Sequence, residues 1–153
     1  MTTLLQNIDI FELHIEAIVI TTNCKRVLGA GLARQFANVM PLTARQYRNC
    51  RIPLDPGTVE CYDVLDAGHV CKRVVTFTTK EHWRYPSRRF WIVRGMEKLI
   101  ELCDDLDIRS IAIPPLGCGL GGLSWEDDGI ERIVMNGAET LEARGTKVTV
   151  IRP

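Results

Sequence analysis

Apolar positions in this chain occur either as short unbroken runs or at a helical spacing of three to four residues, and the two patterns alternate. Glu16-Ala-Ile-Val-Ile-Thr-Thr22 is an unbroken run that ends at polar Asn23, which predicts a buried strand. Gly29-Ala-Gly31 follows, and Leu32, Phe36, Val39 and Met40 then recur at helical spacing until Pro41, so the order is strand, glycine loop, helix. A second amphipathic stretch is expected from Thr43 to about Arg51. Gly57 to Leu65 alternates apolar and polar residues as a strand does. After a turn at Gly68, Arg73-Val-Val-Thr-Phe-Thr-Thr79 reads as its neighbouring strand.

The second half repeats the pattern. Ile92, Met96, Leu99, Cys103 and Leu106 mark one face of a long helix from about Phe90 to Leu106. Ser110 to Ile113 is another buried strand and runs into a second glycine loop, Pro114-Pro-Leu-Gly-Cys-Gly-Leu-Gly-Gly122. Ser124 is the expected cap of the next helix, with Glu126, Asp127 and Asp128 in its first turn, where negative charge suits the helix dipole. The apolar line of that helix is Ile130, Ile133, Val134 and Leu141, ending before Gly145, and Lys147 to Ile151 closes the chain as a strand. Strands and helices alternating in this way predict an α/β domain whose mostly parallel sheet is covered on both faces. No repeat or linker divides it, so residues 1–153 read as one domain.

Composition narrows the function by exclusion. With 19 basic and 19 acidic residues the formal charge is zero, which argues against a generic nucleic-acid coat but permits a local basic patch. Six cysteines show no C-x-x-C pair and no zinc-finger spacing with histidine, and His14, His69 and His82 are scattered, so reduced thiols and no metal site are expected. The first residues lack a basic segment followed by an apolar core, and no apolar stretch approaches the ~20 residues that cross a bilayer; a cytoplasmic protein without membrane association is the expectation.

The two glycine loops are the strongest local chemistry. Each leaves a buried strand, and each is expected to open a helix, where backbone N–H groups and the helix dipole receive an anion. Two such loops suit the two phosphates of a pyrophosphate. Neither is followed by Gly-Lys-Ser/Thr, which excludes a P-loop. The dinucleotide fingerprint fails as well, because Arg34 takes the third glycine position and Arg51 stands where an acidic ribose ligand belongs.

Longer strings are more specific. Asp9-Ile10, Ala17-Ile-Val-Ile-Thr-Thr-Asn-Cys24, Gly29-Ala-Gly-Leu-Ala33 and Phe36 resemble the front half of a macrodomain. Phe77-Thr-Thr-Lys-Glu-His-Trp-Arg84 and Ile113-Pro-Pro-Leu-Gly-Cys-Gly-Leu-Gly-Gly-Leu-Ser-Trp125 resemble the DNA ADP-ribosyl glycohydrolase antitoxins that oppose DarT-type toxins. The terminal ADP-ribose protein glycohydrolases, a related branch, share a Thr-Lys pair. The resemblance spans nearly the whole chain and implies a three-layer α/β/α macrodomain fold with a mixed, mostly parallel central sheet.

It also implies a site. Asp9 matches the carboxylate that accepts a hydrogen bond from the adenine amino group, with Ile10 offering backbone contact beside it. Asn23, Gly29, Ala30 and Gly31 match the segment around the distal ribose. Gly117, Cys118, Gly119, Leu120 and Gly121 match the loop that wraps the pyrophosphate, and Lys80 matches the catalytic lysine. Ile8 replaces the usual glycine before Asp9. Gly121 stands where the protein-directed enzymes carry an acid, which favours the DNA-directed branch. Antitoxins of this family usually continue into a C-terminal toxin-binding domain; the sequence ends at Pro153, so a stand-alone protein and a catalytic fragment are both expected readings.

A nucleophilic lysine needs its pKa depressed by desolvation or nearby positive charge, and Arg84 is a candidate source of that charge. Neutral Lys80 can attack the anomeric carbon of the distal ribose, protonated Lys80 can stabilise the departing base, or its amine can position water. From Lys72 to Arg94 the chain holds Lys72, Arg73, Lys80, Arg84, Arg88, Arg89 and Arg94 against a lone Glu81, with Trp83, Tyr85, Phe90 and Trp91 interleaved. Cations beside stacking rings make a single-strand platform, and His82, Trp83 and Arg84 are its expected centre. A helix core with a wet basic face is the competing reading for Arg88 to Arg94.

The function expected from the resemblance is hydrolysis of the bond between ADP-ribose and thymidine bases of single-stranded DNA, reversing a DarT-type modification. ADP-ribosylated single-stranded DNA, ADP-ribose and a DarT-type toxin are the implied partners, with ADP-ribose as product and no metal or redox cofactor. The rivals are an ADP-ribose-1″-phosphate phosphatase, a protein (glutamate) ADP-ribosyl hydrolase, and a non-catalytic ADP-ribose reader. Lys80 discriminates the last of these, because a reader has no need of it.

Overall fold

β2 (Ala17–Asn23) and β4 (Arg73–Lys80) form the centre of the molecule, pairing in parallel along their whole length in a computed structural model that describes residues 1–153. Their neighbours are β1 (Thr3–Gln6), β3 (Val59–Asp63), β5 (Ser110–Ile113) and β6 (Lys147–Arg152), in the sheet order β1-β6-β5-β2-β4-β3. All pairs are parallel except β3 with β4, which is the mixed, mostly parallel arrangement expected. α1 (Gly31–Val39) and α2 (Pro41–Asn49) cover one face, and α3 (Arg89–Asp105) and α4 (Ile130–Ala143) cover the other.

Strand alternation splits the core in two. Ile18, Ile20, Val74 and Ala112 point toward Phe36, Ala44 and Tyr47 of α1 and α2. Val19, Val75, Phe77, Ile111 and Ile113 point toward Ile92, Leu99, Val134 and Leu141 of α3 and α4. The unbroken apolar runs of β2 and β5 are therefore the signature of strands buried on both faces.

Several boundaries differ from the sequence reading. β1 was not anticipated: four residues with mostly exposed side chains leave no hydrophobic pattern, and only pairing with β6 makes them a strand. α2 starts at Pro41 rather than Thr43, because proline suits the first helical turn and the cap comes from Asp66, whose carboxylate accepts from the Leu42 and Thr43 amides. β3 does not alternate cleanly; four of its five residues are half-buried because α2 and α3 reach its two faces.

Ser124 does not cap α4. Its Oγ accepts from the Asp127 amide while its own amide donates to Asp128, closing a separate turn, and Gly129 at φ 72° breaks the chain before the helix begins at Ile130. The second glycine loop consequently does not open directly into a helix, and any anion it holds is met by loop amides alone.

Candidate functional site

Pairing of β2 with β5 covers only Ala17–Ile111 and Ile18–Ala112, after which β5 stops at Ile113 and β2 runs on to Asn23 beside β4. The chain also changes direction here, since β4 and β3 lie to one side of β2, and β5, β6 and β1 to the other. A crevice beyond the carboxyl ends of strands at such a switch point is the natural ligand site of an open α/β sheet. It is occupied by a cavity of about 470 Å³ lined by both glycine loops, the ends of β2 and β4, and Trp83.

The first loop presents unspent donors. The amides of Gly29, Ala30, Gly31, Leu32 and Ala33 have no protein acceptor, α1 has no side-chain cap, and all five residues line the cavity. The positive end of α1 therefore faces it. Asn23 also lines the cavity, but its side chain holds the loop: Oδ1 accepts from the Lys25 and Val27 amides (3.0 and 3.2 Å) and Nδ2 donates to the Val27 carbonyl (2.9 Å). It shapes the wall and leaves one side-chain N–H without a protein acceptor.

In the second loop the amides of Gly117, Gly119, Leu120 and Gly121 are likewise unspent, and these four residues line the cavity. Cys118 is the exception: its amide donates to Pro115 (3.1 Å), its thiol turns toward the Leu116 carbonyl, and burial followed by the charge of Asp128 pushes its pKa up to about 11. Gly121 is held by close approach, since a Cβ there would sit 2.5 Å from both the Gly117 carbonyl and Ser87 Oγ. A Cβ on Gly119 would meet nothing within 4 Å. Leu120 arches across, its Cδ1 lying 3.6 Å from where a Gly31 Cβ would stand, so the two amide cradles share one roof.

Lys80 lies at the mouth. The register of β2 on β4 slips between Thr22 and Asn23, setting Asn23 opposite Lys80 and leaving Thr79 as the extra residue of a bulge. Bulges re-aim side chains, and here Thr79 and Lys80 in succession both line the cavity. Lys80 Nζ donates to the Trp83 carbonyl (3.3 Å), and desolvation lowers its pKa from the ordinary value of 10.5. Arg84 contributes nothing to that shift, contrary to the sequence expectation; its side chain is exposed and water screens it.

His82, Trp83 and Tyr85 form an aromatic group on the same rim. The His82 and Trp83 rings stack with centroids 3.8 Å apart, Tyr85 lies 5.0 Å from His82, and His82 Nδ1 accepts from the Arg84 amide. Trp83 alone of the three expected platform residues lines the cavity, while 45% of it stays exposed. Lys72 and Arg73 lie elsewhere. They stand at the opposite end of β4, roughly 23 Å away at ~3.3 Å per residue, and Arg73 is engaged by Asp63 and the Leu106 carbonyl. The basic rim begins at Lys80.

Asp9 and Ile10 do not line the cavity. Asp9 caps a single 3-10 turn (Ile10–Glu12) through Oδ1, which also accepts from Gln35 of α1, so Oδ2 is left without a protein partner beside that helix. Ile10 is buried beneath.

Sequence reasoning missed Thr21, Thr22, Val27, Leu32, Ala33, Thr79, Pro114 and Pro115 of the lining, although strand ends of a parallel sheet were a signal available for Thr21, Thr22 and Thr79. It also missed Arg26, which no motif marks. Buried at φ 58°, Arg26 donates to both oxygens of Glu60 (2.8 and 3.2 Å) and to the Tyr47 and Ile52 carbonyls, pinning the first loop to α2 and β3.

Comparison with known proteins agrees with this geometry. The family model described as Macro domain matches residues 19–128. A DNA ADP-ribosyl glycohydrolase from Mycobacterium tuberculosis is 39% identical over 122 residues, covering 78% of this chain and 34% of that protein. One from Thermus aquaticus is 35% identical over 147 residues, covering 95% and 39%. The chain thus spans little more than a third of the length of the curated relatives it matches. Among solved structures, the macrodomain of Mycobacterium tuberculosis DarG superposes with a TM-score of 0.89 at 32% identity, over 100% of this chain and 98% of that one. Thermosipho africanus DarTG in complex with ADP-ribose gives 0.84 at 25% identity, over 99% and 42%.

Proposed function

The chain belongs to the macrodomain family, and from that footing we propose that it is a DNA ADP-ribosyl glycohydrolase, hydrolysing the N-glycosidic bond between ADP-ribose and thymine in single-stranded DNA. The observation that carries the proposal is Lys80, a partly desolvated amine lining a cavity walled by two amide cradles and flanked by exposed Trp83. The cradles receive the pyrophosphate, α1 and Asp9 the adenosine end, and the crevice beside β2 and β4 the distal ribose.

With ADP-ribose so placed, the neutral Lys80 amine attacks the anomeric carbon. The new C–N bond forms as the bond to the base breaks, the electron pair leaves with thymine, and the proton shed by the new ammonium goes to the base. Water then releases ADP-ribose and returns the lysine. This chemistry calls for neither metal nor redox cofactor. Stacking on Trp83 and His82, with Arg84 at a phosphate, holds the DNA strand against the cavity mouth. In a cytoplasm that also holds a DarT-type toxin, the enzyme restores the base the toxin modifies and acts as its antitoxin.

The test is to incubate the protein separately with an ADP-ribosylated single-stranded oligonucleotide and an ADP-ribosylated protein. Release of ADP-ribose from the oligonucleotide alone is expected. Release from the protein alone would transfer the assignment to the protein-directed branch, and binding without release from either would make it a reader.

A further inference from the structure

Between Glu81 and Glu97 the chain carries no carboxylate side chain, and Arg84, Arg88, Arg89 and Arg94 all fall in that interval. None of the four meets an acidic side chain, whereas Arg26, Arg73, Arg109 and Arg144 each do. Two of them lie over rings instead: the Arg94 guanidinium is 4.9 Å from the Phe90 centroid and that of Arg88 is 5.6 Å from Trp91. Hydrogen bonds from Arg94 to the Pro56 carbonyl and from Arg89 to the Asp128 carbonyl hold this end of α3 in place. Phe90 is 61% exposed, although the inner face of α3 is already filled by Ile92, Met96 and Leu99. The core has no use for that ring.

We infer that the first turn of α3 is a second base-stacking subsite, where Phe90 receives an unmodified base flanking the ADP-ribosylated one and Arg88 meets the strand's phosphates. This rests on the DNA-directed function proposed above and extends its footprint beyond the cavity mouth. Rings and cations continue without an intervening acid from Trp83 through Tyr85, itself 60% exposed, to Phe90. A single strand offers a flat face and a negative charge at every nucleotide, which matches that alternation. An acidic peptide would satisfy the arginines but leave Phe90 and Tyr85 unused.

The experiment compares wild type, Phe90→Ala, Phe90→Tyr and Arg88→Ala. Each is tested for binding of unmodified oligothymidine, and for turnover of a short ADP-ribosylated oligonucleotide and of one extended on both sides. Phe90 is exposed, so its variants are expected to fold. Wild type should show a lower KM for the extended substrate. Phe90→Ala should weaken oligothymidine binding and raise that KM by roughly ten- to a hundredfold, with kcat, the short substrate and free ADP-ribose affinity unchanged. Phe90→Tyr should retain wild-type values, and Arg88→Ala should flatten the logarithmic salt dependence by about 0.7. A wild-type KM that ignores length, or unaltered oligothymidine binding in Phe90→Ala, overturns the subsite while leaving the glycohydrolase standing. Competition by polyglutamate as strong as by oligothymidine removes the stacking role. Wild type inactive on both DNA lengths overturns the parent function, and the flanking-base role with it.

Discussion

Asn23 and Lys80 face each other across a bulge in the parallel pair of β2 and β4, and the amide after Asn23, that of Cys24, donates to the Lys80 carbonyl at 2.9 Å. The bond fixes the backbone of the proposed nucleophile to the strand that lines the cavity beside it. Lys80→Ala should therefore keep the fold and ADP-ribose affinity, because it leaves untouched the amide cradles proposed to grip the anion. Release of ADP-ribose from DNA should fall by about 10²- to 10⁴-fold, the usual contribution of a group acting in the transition state. Lys80→Arg should not rescue, because guanidinium stays protonated. Full activity in Lys80→Ala, measured by single-turnover release, would end its catalytic assignment.

The protonation state of that amine is accessible through pH. A lowered pKa means that the neutral form appears at lower pH than in a free lysine. If the neutral amine attacks, kcat/KM should rise about tenfold per unit of pH and level off below the ordinary lysine value of 10.5. If the ammonium instead acted as the acid, the profile would reverse and activity would fall as pH rose through the same point.

Gly119 and Gly121 should separate ligand space from backbone space. At Gly119 a side chain meets open cavity, so Gly119→Glu should leave thermal unfolding near wild type and abolish ADP-ribose binding by calorimetry. At Gly121 even one methyl collides with the Gly117 carbonyl and Ser87, so Gly121→Ala should weaken binding and lower Tm together. Unchanged affinity in folded Gly119→Glu would contradict the pyrophosphate assignment.

Trp83→Ala with Arg84→Ala should weaken turnover of modified DNA while sparing free ADP-ribose. Loss of a stacked base costs ~1–3 kcal/mol, or roughly ten- to a hundredfold in KM. Because Trp83 lines the cavity, the comparison is strict: an equal fall in free ADP-ribose affinity would make it a pocket residue only.

Arg26 should matter through stability. Its side chain is 9% exposed and that of Glu60 17%, so Arg26→Met leaves a half-buried carboxylate with only the Tyr62 hydroxyl as donor and strands two carbonyls, at a cost of about 1–3 kcal/mol. For a chain of this size that lowers Tm by roughly 2–12 °C. Adding Glu60→Met should recover part of the loss, because it removes the unpaired charge. A Tm unchanged in Arg26→Met would show that the clamp contributes nothing.

What the sequence determined by itself was whatever depends on local pattern. The apolar runs of β2 and β5 can be satisfied only by burial on both faces, and the periodicity of α3 and α4 defines the faces that cover them. The glycine loops and the interleaved basic and aromatic segment were legible for the same reason, because each is contiguous in the chain, whereas Lys80 was singled out by the resemblance that the Thr-Lys-Glu-His-Trp-Arg string carries. Tertiary structure decided what depends on residues far apart. β1 exists only through β6, and α2 begins at Pro41 because Asp66 caps it from another loop. Arg26 is a clamp only because Glu60 arrives 34 residues later. Lys72 and Lys80 look alike in a basic stretch, yet an extended strand carries them to opposite ends of the sheet, and only one end is open. Which loop amides remain free was likewise invisible, since Cys118 spends its own on Pro115 while its glycine neighbours leave theirs without a protein acceptor.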